Sequence, residues 1–186
     1  LGFASLVLPD SQNLAPEVWG QLALAARATT RIRLGPGVTN SITRDPAVTA
    51  SAALSLQLVS EGRAVLGIGR DDLYVQRIGR TQDPVPSFER YLAAVQGYLR
   101  GEAVDRDGFA SRLEWLPQAS VVKVPLEVAA TGPRVTELAA RHADRICLAV
   151  GADPDYVGEK LAFARRATAA AGRDPASVRY GAFVNC

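Results

Sequence analysis

Apolar and polar positions follow two alternating patterns along the chain. Short, nearly continuous apolar runs are typical of strands buried on both faces, and they occur at residues 2–8, 32–38, 63–69, 126–130, 145–150 and 178–184. Apolar residues at helical spacing predict helices over residues 16–29, 45–60, 87–100, 133–142 and 154–171. The first three strands begin about thirty residues apart, the size of a βα unit. The pattern therefore predicts an α/β fold of parallel strands in sequential order, joined by right-handed crossovers.

Three of the predicted helices show which face they bury. The apolar positions are Val18, Leu22 and Ala26 in the first, Val48, Ala52 and Val59 in the second, and Phe88, Leu92, Val95 and Leu99 in the third. Asp45 and Asp153, each followed by proline, are predicted N-caps. Gly101 and Gly172 follow helices and are predicted to end them.

Residues 32–49 contain the most informative single segment. An apolar strand leads into Gly35-Pro36-Gly37, a polar loop follows, and the helix begins at Asp45-Pro46. In parallel α/β folds, chemistry is found in the loops at the carboxyl ends of the strands. Glycines in such a loop allow the backbone to approach a ligand closely. The segment therefore predicts where a functional site lies.

Two architectures fit this pattern: an open doubly wound sheet, or part of an eightfold barrel. A dinucleotide-binding sheet requires G-x-G-x-x-G after a strand, and the nearest match, which begins Gly67-Ile68-Gly69, has Asp72 at the third glycine position. Because a carboxylate there would repel a pyrophosphate, that fingerprint is rejected. Residues 103–125 interrupt the rhythm and predict a short hairpin inserted within one domain over residues 1–186.

Charge and composition narrow the function classes. The net charge is +2 with both signs interspersed, so no nucleic-acid footprint is predicted. Apolar runs are too short for a membrane span, and no signal peptide is recognisable, so a cytoplasmic protein is expected. Cys147 and Cys186 have no paired spacing, and no metal site is predicted. Because methionine is absent, the chain is expected to begin inside a longer protein.

Three motifs, in order, resemble the bacterial luciferase-like superfamily of flavin- and deazaflavin-dependent oxidoreductases. They read LGPGVTNSITRDPAVTASAALSL, GRAVLGIG and VAATGPRVTELAARHADRI, and the branch they resemble most is the methylenetetrahydromethanopterin-reductase-like one. The resemblance implies a (β/α)8 TIM barrel with an insertion after its fourth unit, where residues 103–125 fall. By the same comparison the chain holds the second to seventh strands of an incomplete barrel and lacks the first and eighth.

The resemblance also implies roles for individual residues. Gly37-Val38 corresponds to a non-prolyl cis peptide behind the flavin-type ring, and Asp10 to an acidic residue that contacts the ring. Asp72 corresponds to a proton donor. The chain departs from the family pattern at Ser11, where some members have a catalytic histidine, and at Asp71, where a small residue is usual.

The loop Ala130-Thr131-Gly132 corresponds to the segment that holds the cofactor's phosphate-bearing tail, which suits a helix N-terminus that begins at Pro133. The expected function is hydride transfer between coenzyme F-420 and a small organic substrate, with a homodimer for the full-length protein. An FMN-dependent monooxygenase is the alternative within the superfamily. A non-enzymatic barrel fragment is the alternative of another class.

Overall fold

Parallel strands that alternate with helices form the fold, as the hydrophobic pattern predicts. The structure, a computed structural model, describes residues 2–70, 73–116 and 122–184. The chain divides into two units, residues 1–124 and residues 125–186, and each is described by itself. The expectations of one domain and of an incomplete barrel stay predictions.

The first unit contains three βα segments and a hairpin. Its elements are β1 (Ser5–Leu8), α1 (Val18–Ala28), β2 (Arg33–Pro36), β3 (Thr39–Asn40), α2 (Pro46–Val59), β4 (Leu66–Gly69), α3 (Leu73–Gln76), α4 (Val85–Leu99), β5 (Val104–Arg106) and β6 (Phe109–Ser111). The antiparallel pair β5–β6 is the hairpin predicted within residues 103–125.

Apart from the β5–β6 hairpin, the described strands of this unit pair in parallel and in sequential order. Strand β1 pairs with β2, β3 pairs with β4, and a parallel bridge between Leu34 and Ala64 joins β2 to the residues before β4. Strand β2 lies within the strand predicted over residues 32–38, whereas the two-residue strand β3 falls in the segment 38–44 that the sequence predicts as a polar loop. All carboxyl ends of these strands lie on the same side of the sheet.

The second unit repeats the same arrangement on a smaller scale. Its elements are β7 (Leu126–Ala130), α5 (Pro133–His142), β8 (Arg145–Leu148), α6 (Pro154–Ala170), a 3-10 helix (Pro175–Ser177) and β9 (Arg179–Ala182). Strand β8 pairs in parallel with β7 on one side and with β9 on the other.

Most local predictions are confirmed. Predicted and observed helices agree within two residues at each end, and Asp45 and Asp153 cap α2 and α6 by accepting hydrogen bonds from Ala47 N and Tyr156 N. Gly101 and Gly172 follow α4 and α6 with positive φ angles of 73°. The predicted inner faces of α1 and α4 are buried.

Three burial predictions are wrong, in α2, in β1 and in β9, where every residue from Arg179 to Ala182 is at least partly exposed. In α2, Val48 and Val59 are 54% and 41% exposed, and the buried face instead carries Ala50, Ala53 and Leu54. The apolar run at β1 predicts burial on both faces, yet every residue in this strand is at least partly exposed. Its one neighbour among the described strands is β2.

No helix in the described parts of the chain has both the length and the apolar character needed to cross a bilayer.

Arg63 joins the amino ends of the strands in the first unit by using all five of its N–H donors. Its Nε donates to the carbonyl of Ser60 (2.7 Å), and Nη1 donates to Thr29 Oγ1 (3.0 Å) and the carbonyl of Ile32 (2.8 Å). Its Nη2 donates to the carbonyls of Ala26 and Thr29, each at 2.8 Å. Carbonyls at helix C-termini have no partner within the helix, so one guanidinium satisfies groups at the ends of α1 and α2 and before β2.

Replacing Arg63 by lysine is expected to lower the free energy of unfolding by about 2–3 kcal/mol, because an ammonium has three donors and cannot reproduce the planar fork. Urea unfolding of the full-length protein measures the change. Arg27→Lys, on the exposed side of α1, is the matched control and is expected to stay within about 0.5 kcal/mol of the wild type. Equal losses in the two variants would contradict the role given to Arg63.

Candidate active site

A buried ion pair organises the carboxyl ends of the strands in the first unit. Asp10 follows β1 and is 3% exposed. Its Oδ1 accepts hydrogen bonds from Gln12 Nε2 (2.9 Å) and Arg44 Nη2 (3.2 Å), and its Oδ2 accepts from Thr39 Oγ1 (2.7 Å) and Arg44 Nε (3.2 Å). The carboxylate therefore holds together the loop after β1, strand β3 and the loop that leads to α2.

Arg44 bridges two carboxylates. Besides Asp10, its Nη2 contacts Glu17 Oε1 at 3.2 Å, and Glu17 in turn caps α1 by accepting from Gly20 N at 2.8 Å. Burial alone would lower the pKa of Arg44, but the hydrogen bonds and charge of Asp10 and Glu17 outweigh it and raise the pKa above its usual value. The guanidinium is thus a fixed positive charge in a site with two negative ones.

Glycines let the backbone approach closely beside this ion pair. The peptide bond between Gly37 and Val38 is cis, as the resemblance implies. Gly37 is exposed, and its N–H donates to the carbonyl of Leu8 at 2.8 Å. A Cβ at Gly37 would lie 2.6 Å from Val7 Cβ, and a Cβ at Gly67 would collide with the carbonyl oxygen of Pro36. Side chains at these two positions would therefore force the strands apart.

Asn40, at the end of β3, carries a buried donor that has no partner in the described part of the chain. Its Oδ1 accepts from Ile42 N and Thr43 N, both at 3.0 Å, and from Thr43 Oγ1 at 3.1 Å. Because backbone N–H groups can only donate, the oxygen must face them, and the position of Nδ2 is fixed. This nitrogen is buried and makes no hydrogen bond with the described residues. A buried unsatisfied donor costs about 1–3 kcal/mol.

A second carboxylate lies close to the same loop. Asp83, which precedes α4, is 6% exposed, and its Oδ2 accepts from Ser41 Oγ at 2.6 Å. Arg70, directly after β4, donates to the Asp83 carbonyl at 2.8 Å and so fixes the segment before α4. Polar groups from the loops after β1, β3 and β4 thus share one side of the first unit.

An exposed ion pair attaches the β5–β6 hairpin to α2. Arg106 in β5 contacts both carboxylate oxygens of Asp45, at 3.1 and 2.7 Å. The hydrogen bond from Arg106, with the N–H of Ala47, holds the pKa of the Asp45 carboxyl below its usual value. The insertion is therefore anchored one residue from Arg44.

The second unit offers an uncapped helix N-terminus. Ala130 is buried at the end of β7, and Thr131 is exposed. Gly132 is the N-cap of α5, and as a glycine it has no side chain that could accept hydrogen bonds from the first N–H groups of the helix. Thr136 N and Oγ1 both donate to the Gly132 carbonyl at 3.0 Å. The first N–H groups of α5 can donate hydrogen bonds to an anion, and the helix dipole favours its negative charge.

The predicted site residues fall into three groups. Asp10, Gly37 and Val38 lie together at the carboxyl ends of the strands in the first unit. Ala130, Thr131 and Gly132 form one loop of the second unit. The predicted proton donor, Asp72, and its neighbour Asp71 lie outside the described residues. That all these residues share one mouth stays a prediction.

Sequence reasoning misses five polar residues that the structure brings into the first group: Thr39, Asn40, Ser41, Arg44 and Asp83. The sequence identifies a polar loop over residues 38–44 but assigns no role to its side chains. Four of the five lie in that loop or at its edge, so their position after a strand is the available signal. Asp83 is separated from them by the whole of α2 and β4, and nothing local in the sequence links it to Ser41.

Comparison with known proteins places the chain in a family. The profile of luciferase-like monooxygenases matches residues 1–186. The 5,10-methylenetetrahydromethanopterin reductase of Methanolobus tindarius is 33% identical over 188 residues, which cover 98% of this chain and 56% of that protein. A phthiodiolone/phenolphthiodiolone dimycocerosates ketoreductase of Mycobacterium kansasii is 36% identical over 188 residues, 96% of this chain and 51% of that protein.

Solved structures share the fold. The coenzyme F-420 dependent tetrahydromethanopterin reductase of Methanopyrus kandleri superposes with a TM-score of 0.80 at 24% identity, over 98% of this chain and 58% of that one. A monooxygenase from Streptomyces bottropensis gives 0.74 at 25% identity, over 98% and 58%. The chain spans about half the length of the curated relatives it matches. It belongs to the luciferase-like monooxygenase family of oxidoreductases.

Proposed function

We propose that the protein transfers a hydride between coenzyme F-420 and a small organic substrate. The observation that carries the proposal is the carboxyl end of the first unit, where the exposed backbone of Gly37 and the Asn40 donor, which has no partner among the described residues, accompany a buried ion pair. The tetrahydromethanopterin reductase of Methanopyrus kandleri, which shares the fold, depends on coenzyme F-420 and supports the same cofactor. A homodimer in the cytoplasm is part of the proposal.

The residues present suit a deazaflavin. A flat ring needs an open backbone surface, which Gly37 supplies, and its carbonyl oxygens need donors, which Asn40 offers. The ring would lie against Gly37 and Val38, with Asp10 beside it. The phosphate-bearing tail would bind the N-terminus of α5 through Thr131 and Gly132, with Ala130 at the base of the loop.

A bound deazaflavin accepts a hydride from, or supplies one to, a carbon of the substrate. When the substrate is reduced, a proton must reach its neighbouring heteroatom, and we propose that the carboxyl group of Asp72 donates it. Asp72 then ends as a carboxylate and takes a proton back from solvent. The protein's part is thus to bind, to orient and to move one proton.

An FMN-dependent monooxygenase is the second candidate. Its support is the 25% identity and TM-score of 0.74 with the Streptomyces bottropensis monooxygenase. FMN also presents a flat ring and a phosphate, so the same residues could hold either cofactor. The two candidates differ in which cofactor the protein prefers.

Titration of the full-length apoprotein with oxidised coenzyme F-420 and, separately, with FMN is expected to give a dissociation constant at least tenfold lower for coenzyme F-420. Cofactor fluorescence measures both. A tenfold preference for FMN would instead support the monooxygenase, and binding of neither cofactor would refute both candidates.

A negative charge at residue 131 is expected to weaken binding of coenzyme F-420 about tenfold, or by ~1.4 kcal/mol, because it would repel the phosphate at the N-terminus of α5. The variant is Thr131→Asp and the matched control is Thr131→Asn, which has the same shape without the charge. An acidic residue at a helix N-terminus is also stabilising by about 0.3–1 kcal/mol, so the melting temperature should not fall.

Thr131→Asp and Thr131→Asn should bind the deazaflavin headgroup without its phosphate equally well. Equal affinities of the two variants for the whole cofactor would show that the phosphate does not bind at this loop.

The Asp72→Asn substitution is expected to lower kcat about a hundredfold while the cofactor dissociation constant changes less than twofold, because a proton donor acts on the chemical step. Asp71→Asn makes the same change one residue away and should leave kcat within about threefold of the wild type. If both variants turn over normally with cofactor bound, Asp72 is not the proton donor.

A further inference from the structure

We propose that Asp10 acts on the cofactor through Arg44: the guanidinium of Arg44 donates to an acceptor of the bound ring, and Asp10 is the positioning residue that fixes it. The inference rests on the proposed function. It differs from the role that the resemblance implies, in which the acidic side chain itself contacts the ring.

The hydrogen bonds of Asp10 leave its carboxylate no lone pair that could accept a hydrogen bond from a ligand. A carboxylate offers about four lone-pair sites, and four donors occupy them here at 2.7 to 3.2 Å. A ring that bonded Asp10 directly would have to displace Gln12, Thr39 or Arg44. Displacing Arg44 would leave the buried carboxylate of Asp10 without its charge partner, which is strongly unfavourable.

Arg44, in contrast, has one nitrogen with no hydrogen-bond partner among the described residues. Its Nε and Nη2 face Asp10 and Glu17, while its Nη1 donates to no residue that the structure describes. Its side chain is 21% exposed, against 3% for Asp10. Of the two members of the ion pair, Arg44 is therefore the one that a ligand can reach.

The geometry of a guanidinium makes this arrangement effective. The group is planar and rigid, so a carboxylate that binds Nε and Nη2 side-on also fixes the direction of Nη1. Flavin and deazaflavin rings carry carbonyl oxygens, and a charge-assisted donor suits these acceptors. Arg44 also lies in the loop that begins at Gly37 and Val38, which are proposed to contact the ring.

A double-mutant cycle in the full-length protein tests the proposal. The variants are Asp10→Asn, Arg44→Gln and the double variant, and the readout is the dissociation constant of oxidised coenzyme F-420 from its fluorescence. Each single substitution is expected to weaken binding about tenfold. The double variant is expected to bind within about twofold of the weaker single variant, because Asp10 has no further effect once Arg44 is gone.

The control cycle uses Asp45→Asn and Arg106→Gln, which break an exposed ion pair one residue from Arg44 while asparagine keeps the cap of α2. These variants should bind the cofactor as the wild type does. Circular dichroism sets a temperature at which every variant is folded, so that a loss of stability does not enter the dissociation constants. Unfolding midpoints are recorded separately.

Three results would overturn the inference. A roughly hundredfold loss in the double variant would mean that Asp10 and Arg44 act independently, as a direct contact by Asp10 requires. Unchanged dissociation constants with lower unfolding midpoints would mean that the ion pair is only structural. Failure of the wild type to bind either cofactor would refute this inference with the proposed function, whereas binding of FMN alone would refute the function and leave the cycle to be judged with FMN.

Discussion

The ion pair between Asp10 and Arg44 is the interaction on which the arrangement of the candidate site depends. A carboxylate that is 3% exposed would be costly unless its charge were paired and its oxygens hydrogen-bonded, and here both conditions are met. Its four donors belong to three residues: Gln12 after β1, Thr39 in β3 and Arg44 in the loop before α2. Satisfying this one buried charge therefore ties Thr39 and Arg44 to the loop after β1.

At the amino ends of the same strands, an arginine again satisfies several acceptors, but there none of its donors is left over. Arg63 has no free donor, and its partners are mostly backbone carbonyls that helix ends leave without a partner. At the carboxyl end, Nη1 of Arg44 and Nδ2 of Asn40 lack partners among the described residues. The contrast between Arg63 and this pair of donors supports the proposal that ligand binding takes place at the carboxyl end.

How far the sequence predicts the fold depends on the contrast between polar and apolar positions. Helices α1 and α4 have a clear polar face, so periodicity correctly places Leu22 and Leu92 in the core. Helix α2 carries no charged residue from Pro46 to Val59, and its small and apolar residues fit more than one face. Its buried face is decided by packing against α1 and α4, which local periodicity does not encode. The exposure of β1 is also a matter of packing. An apolar run indicates that a strand can be buried, but it does not show which neighbours cover the strand.

The candidate site follows a similar division between local and long-range information. The loop after a strand, its glycines and the capped helix are local features, so the sequence alone points to residues 32–49. Which side chains meet there is a matter of pairing across the sheet: Thr39 reaches Asp10 across 29 residues, and Ser41 reaches Asp83 across 42. The resemblance implies Asp10 as a ligand contact, but a motif does not show that other residues of this chain already occupy the carboxylate. Because four donors already bond this carboxylate, its surroundings favour the positioning role proposed for Asp10 over a direct contact with the ring.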